Sequence, residues 1–194
     1  MLLRNRPPVI ELHSAPTPKR IEALPDPAIA VIRWLNANRV DYVVVGAVAR
    51  VVRGESAARG PVAIVPAPYG RNLDRLARAL GAARARLRLE HELGPGVVAE
   101  PGSASAAVRL SAEQLVRAEG WTLRCGDVDL DVEGRPGGVP RYQELLYEAQ
   151  RSELADGVSA EIAAPEDIEL YAQLRRGVRA PEIRVRRGSP SPAA

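Results

Sequence analysis

Phenylalanine is absent from this 194-residue chain, and aromatic residues make up only 4% of it. The core must therefore be assembled from Leu, Val, Ile and Ala, which the 46% hydrophobic fraction supplies. Cysteine occurs once, at Cys125, which excludes an internal disulfide. The two histidines, His13 and His91, lie far apart in sequence, so no zinc centre is expected. No apolar run approaches the ~20 residues needed to cross a bilayer. The opening Met1-Leu2-Leu3-Arg4 runs into Pro7 and Pro8 without an apolar stretch of signal-peptide length. These absences lead to the expectation of a cytoplasmic protein with no membrane partner. Lysine is almost missing too. Of 27 basic residues only Lys19 is lysine, and the rest are arginine.

The arginine bias, set among abundant Ala, Gly, Pro and Val, is what a GC-rich coding sequence produces without selection for a ligand. Net charge is only +3. A nucleic-acid surface needs arginines gathered on one face. Two groups qualify by position: Arg84, Arg86 and Arg88, and the run from Arg175 to Arg187. Solvated surface is the reading that composition favours for both, which leaves nucleic acid a weakly supported partner.

Residues 1–25 carry five prolines and little periodicity, and read as an arm or linker. Asp26-Pro27 looks like an N-cap followed by proline at the first helical position, and Ile29, Ile32 and Leu35 then share a helical face. Val40–Val45 is a β-branched run of strand length, buried on both faces by its composition. Gly46 breaks it. A short helix is expected over Ala47–Arg53, a second strand over Pro61–Pro66, and an amphipathic helix over Arg71–Leu80 capped by Gly81. Gly94–Ser105 reads as loop. Ser111-Ala112-Glu113-Gln114 fits a capping box, and Trp121–Arg124 and Asp127–Val132 fit two strands around Cys125-Gly126. A helix over Tyr142–Ala149, a strand over Val158–Ile162 and a helix over Pro165–Arg176 follow, with a disordered Arg/Pro-rich tail over 181–194. The fold class is α/β (α+β): a small mixed sheet flanked by helices, in one domain over residues 26–180.

Three stretches carry a resemblance. They are Val40–Gly54, Arg59–Val65 and Asn72–Gly81, with Leu80-Gly81-Ala82 at the end of the last. In order and spacing they resemble the DNA polymerase beta-like nucleotidyltransferase superfamily, in particular small bacterial members from toxin–antitoxin and defence loci. Trp121–Leu130 resembles that family's third-carboxylate strand, and Tyr142–Leu146 the helix after it. The resemblance implies a nucleotidyltransferase-like sheet. It also implies a phosphate turn at Gly46 and Ala47, a phosphate-approaching arginine at Arg59, and a metal-binding acid at Asp129. An active member holds two divalent ions between a pair of carboxylates, two residues apart on one strand face, and a third acid.

At the positions of that pair this sequence has Ala63 and Val65, and Arg59–Pro68 contains no acid. Pro61 and Ala47 replace two further family residues. Ordinary two-metal transfer is therefore not expected, and no confident catalytic residue emerges beyond a vestigial Asp129. The resemblance implies a degenerate relative acting by binding, as a regulatory or partner subunit with a protein partner and retained nucleotide affinity. The alternative is a divergent active enzyme transferring a nucleotide to a protein or tRNA acceptor. That version uses Mg²⁺ held by Asp127, Asp129 and Asp131, with Glu55 as a further carboxylate. Without residual activity no cofactor is expected. An edge strand whose acids limit aggregation also accounts for the acidic stripe. Cys125 reads as a packed, inert thiol, and Trp34 and Trp121 as core or interface anchors.

Overall fold

A computed structural model describes residues 24–55, 60–87, 109–117, 120–126, 128–134 and 140–175. Seven strands form one mixed sheet, flanked by helices. In chain order the elements are α1 (Asp26–Ala37), β1 (Tyr42–Val45), α2 (Gly46–Val52), β2 (Val62–Pro66), α3 (Gly70–Ala82) and β3 (Arg86–Leu87). They continue with α4 (Ala112–Arg117), β4 (Gly120–Cys125), β5 (Val128–Glu133), α5 (Tyr142–Glu148), β6 (Gln150–Ala155), β7 (Val158–Ile162) and α6 (Pro165–Arg175). The strand order is β3-β4-β5-β2-β1-β7-β6. The two central strands, β1 and β2, are antiparallel to each other, while β5 runs parallel to β2 and β7 parallel to β1. Among the described residues no helix is long and apolar enough to cross a membrane.

The central strands are apolar on both faces because both are covered. Tyr42–Val45 and Val62–Pro66 are buried throughout. By register, Tyr42, Val44, Ile64, Leu130 and Val132 share one face, while Val43, Val45, Ala63, Val65, Asp131 and Glu133 share the other. The first face receives α1, whose Ile29, Ile32 and Leu35 are buried. The Tyr42 hydroxyl on that face donates to Asn36 Oδ1 at 2.8 Å, and Asn36 Nδ2 donates to the Ser159 carbonyl at 2.9 Å, tying α1 to β1 and β7.

Helix α1 starts one residue earlier than its sequence suggests. Pro25 is the N-cap, so Asp26 sits in the first turn, where a negative charge favours the positive end of the helix dipole. Helix α3 also overruns its expected stop. Gly81 stays helical, Ala83 is the C-cap, and Arg84 turns the chain with φ +50°. The capping box of α4 is present in both directions: Gln114 N–H donates to Ser111 Oγ at 3.2 Å, and Ser111 N–H to Gln114 Oε1 at 2.8 Å.

Two strands have no sequence counterpart in the reading above. The two-residue β3 pairs with β4, and β6 forms the far edge against β7. In β6 only Leu154 is buried, so its sequence carries almost no apolar alternation. A buried amide is the other surprise. Asn72, 2% exposed, accepts from Asp41 N–H at 2.7 Å and donates to the carbonyls of Asp41 and Ala67 at 2.8 and 3.0 Å. It fixes α3 to the entry of β1, with its bonding groups satisfied.

Arg39, just past α1, adopts φ +54°, a left-handed conformation that costs a β-carbon-bearing residue about 1–2 kcal/mol. Its guanidinium makes no ion pair or hydrogen bond among the described residues, but the backbone there is bonded as a helix C-terminal cap: Arg39 N–H donates to the Asn36 carbonyl at 2.9 Å, Val40 N–H to the Leu35 carbonyl at 3.1 Å, and the Arg39 carbonyl accepts from Arg75 Nη1 at 2.6 Å. Glycine relieves the strain but adds ~0.5–1 kcal/mol of unfolded-state entropy. Arg39→Gly is therefore expected to stabilise the fold by roughly 0.5 kcal/mol. Urea midpoints of the two proteins check this, and a loss of stability would mean that the arginine side chain contributes to the fold.

Candidate functional site

The sequence singled out Gly46, Ala47, Arg59, Asp127, Asp129 and Asp131. Arg59 and Asp127 lie outside the described residues. The other four fall on adjoining elements at the sheet centre. Gly46 ends β1 and opens α2 with φ +68°, a conformation open to glycine at little cost. A β-carbon on Gly46 would stand 3.0 Å from Ala63 Cβ, so strand turn and β2 touch there. Ala47 faces the chain entering β2, where a β-carbon on Gly60 would lie 3.2 Å from Ala47 Cβ.

The strand registers set the rest. Val45, Ala63, Asp131 and Thr122 stand level across β1, β2, β5 and β4. Asp131 is thus the acid level with Ala63, and it is buried, as is Glu133 two residues on. Asp129 sits elsewhere in the same stripe. It lies opposite Arg124 on β4 and accepts from Arg124 Nε at 2.8 Å and Nη2 at 3.3 Å. This pair is partly exposed, so solvent screens it. Sequence reasoning ranked Asp129 first because spacing along one strand cannot reveal which residue a neighbouring strand brings level.

The two β2 positions to which the resemblance assigns a carboxylate pair are apolar and closed. Ala63 and Val65 are 1% and 5% exposed and bring no oxygen to the site. Among the described residues no three His, Cys, Asp or Glu side chains group closely enough to hold a metal ion. The residue types at Ala63 and Val65 do not fit a two-metal centre, whatever Asp131 contributes. Glu55, the acid that would have to move in, is held by Arg50 at 3.2 Å, and Arg50 also reaches Glu169 on α6 at 2.6 Å.

The remaining candidates resolve as packing or surface. Trp34 and Trp121 pack against the core. Arg86 is exposed and level with Arg124, while Arg88 lies outside the described residues. His13 and His91 lie outside them as well. Cys125 ends β4, partly buried, and its thiol is pushed up to about 11 by burial first and by the Asp129 carboxylate second. At pH 7.5 the thiolate fraction is then on the order of 1 in 10³. Alkylation by iodoacetamide is expected to be far slower than for a free thiol, with a rate rising about tenfold per pH unit up to pH 10. A rate that levels off near pH 8.5 would contradict this environment.

One opening lies at the other end of β1 from Gly46. A cleft of about 490 Å³ is bounded by the end of α1, the start of β1, α5 and the β6–β7 hairpin. Sequence reasoning missed it, since its lining residues come from four separate segments. The scan of known protein families finds no model that matches this chain, and the search of curated proteins finds no matching relative.

Proposed function

We propose that this chain is a catalytically degenerate nucleotidyltransferase-fold protein that acts by binding, as a regulatory or partner subunit of the toxin–antitoxin or defence type. One observation carries the reading: the strand turn at Gly46, the β2 position of Ala63 and the acid Asp131 meet at one place, and apolar side chains stand where a carboxylate pair is required. The antiparallel β1–β2 pair with β5 parallel to β2 supports it, because that arrangement brings a third acid beside the β2 pair. On this reading the vestigial acid is Asp131, and Asp129 is its neighbour in the stripe. Without the pair, no two-metal clamp aligns a nucleoside triphosphate for in-line attack.

The alternative, an active enzyme transferring a nucleotide to a protein or tRNA, needs Glu55 to leave Arg50 and enter a closed site. Incubation with labelled nucleoside triphosphates, Mg²⁺ or Mn²⁺ and protein or RNA acceptors separates the two readings. We expect no metal-dependent label transfer. Transfer by the wild type that is lost in Asp131→Asn would overturn the proposal in favour of the enzyme.

A further inference from the structure

The strand order leaves β6 at one edge of the sheet, and among the described residues no strand pairs with its outer side. Its six residues compare with two in β3 at the opposite edge. An edge of that length presents a row of backbone N–H and C=O groups as a template for a further strand. Which strand can add there is decided by the side chains that would stand opposite one another. The edge is two strands removed from β1 and its turn at Gly46, so it is independent of the site there.

Register fixes how the charges of β6 are arranged. Arg151 is level with Glu161 of β7 and Glu153 with Ser159, so Arg151 and Glu153 share one sheet face. Arg151 Nη1 is paired with Glu161 at 3.2 Å and Nη2 donates to Ser159 Oγ at 2.9 Å, which holds the guanidinium over that face. The arginine side chain is still 72% exposed, and with five donors a guanidinium can serve a second carboxylate. Glu153 is exposed as well, and its Oε1 accepts from Gly157 N–H at 3.3 Å. The register shift lies between Glu153 and Ala155, so the stretch from Gln150 to Glu153 is regular.

A strand reading Arg151-Ser152-Glu153 is its own complement when two copies run antiparallel. About a two-fold axis at Ser152, Arg151 of each copy stands opposite Glu153 of the other, and both pairs fall on the same face. We propose that β6 pairs antiparallel with β6 of a second copy of this chain, in the register centred on Ser152, joining the two sheets into one. The charges select a second copy because one patch supplies both halves of each pair, as an isologous interface requires. Parallel pairing in the same register would set Arg151 against Arg151 and Glu153 against Glu153, which is unfavourable. Apolar surface lies close by for such a partner to cover. Only Ala149 separates α5 from β6, and Tyr147, 86% exposed, is within ~11 Å of Gln150 along the chain.

Sedimentation equilibrium of the full chain between about 1 and 100 μM tests this, with a dimer mass expected at the upper end. Arg151→Glu and Glu153→Arg each set like charges opposite one another at two places, and each should weaken the dimer about tenfold or more. The doubly reversed Arg151→Glu/Glu153→Arg should dimerise as the wild type does. An equimolar mixture of the two single variants should form a heterodimer, since one carries acids at both positions and the other arginines. Arg151→Glu also faces Glu161 of its own chain, so a second measurement avoids that clash. In a Cys125→Ser background, Ser152→Cys should form an interchain disulfide under oxidised glutathione, because directly opposed strand residues lie ~5 Å apart. Gln150→Cys should not, since its two copies would stand roughly 13 Å apart in that register. A wild type that sediments as a monomer at about 100 μM would overturn the proposal. So would a dimer indifferent to both single reversals, single variants that fail to rescue each other when mixed though folded, or Gln150→Cys crosslinking as readily as Ser152→Cys.

Discussion

Ala63→Asp is expected to cost about 3–5 kcal/mol at neutral pH, the range for an uncompensated charge in a protein interior. Ala63 is 1% exposed and level with the buried Asp131, so the new carboxylate would be desolvated beside an acid. Both effects disfavour its charged form and raise its folded pKa above the unfolded value of ~3.9. The sign follows from proton linkage. Below the unfolded pKa the group is neutral in both states and charge adds no penalty. As pH rises through that value the unfolded chain ionises first, and stability falls until the folded pKa is reached. Ala63→Asn supplies the steric control. Urea midpoints of the Asp and Asn variants should be close at pH 4 and well apart at pH 7.5. Equal midpoints at both pH values would mean that the site is open to water.

Gly46→Ala is the second large effect. The left-handed φ of +68° costs a β-carbon about 1–2 kcal/mol, and the 3.0 Å approach to Ala63 Cβ adds overpacking of ~1–3 kcal/mol. A total loss of roughly 2–5 kcal/mol is expected from those two contributions. They separate by a double-mutant cycle. Adding Ala63→Gly removes the contact and returns the overpacking share, while the backbone share stays. Denaturation midpoints of the four proteins give the coupling. Strict additivity would mean that Gly46 and Ala63 do not touch.

Gly46 was legible in the sequence, and the reason is local. A β-branched run ended by glycine marks a buried strand and its turn, whatever lies around it. The same holds for the Ser111–Gln114 box and the apolar stripe of α3, which depend on residues within a few positions of each other. Edge strands were not legible: β3 has two residues, and β6 buries one side chain, so neither shows an alternation. Register was hidden for a different reason. Asp127, Asp129 and Asp131 share a spacing, and only the pairing of β5 with β2 puts Asp131 level with Ala63. The amide clamp of Asn72 and the cleft at Arg39 depend on segments far apart in sequence, which periodicity cannot join.

On the proposed function, Ala63 and Val65 stand in place of the carboxylates that would make Asp131 part of a metal site. Mn²⁺ titration followed by electron paramagnetic resonance tests it most directly, on the wild type, on Ala63→Asp/Val65→Asp, and on that double variant carrying Asp131→Asn. No saturable Mn²⁺ site is expected in the wild type, a site is expected in the double variant, and it should be lost when Asp131 is neutralised. A wild-type site that disappears in Asp131→Asn, or a folded double variant that binds no Mn²⁺, would contradict it.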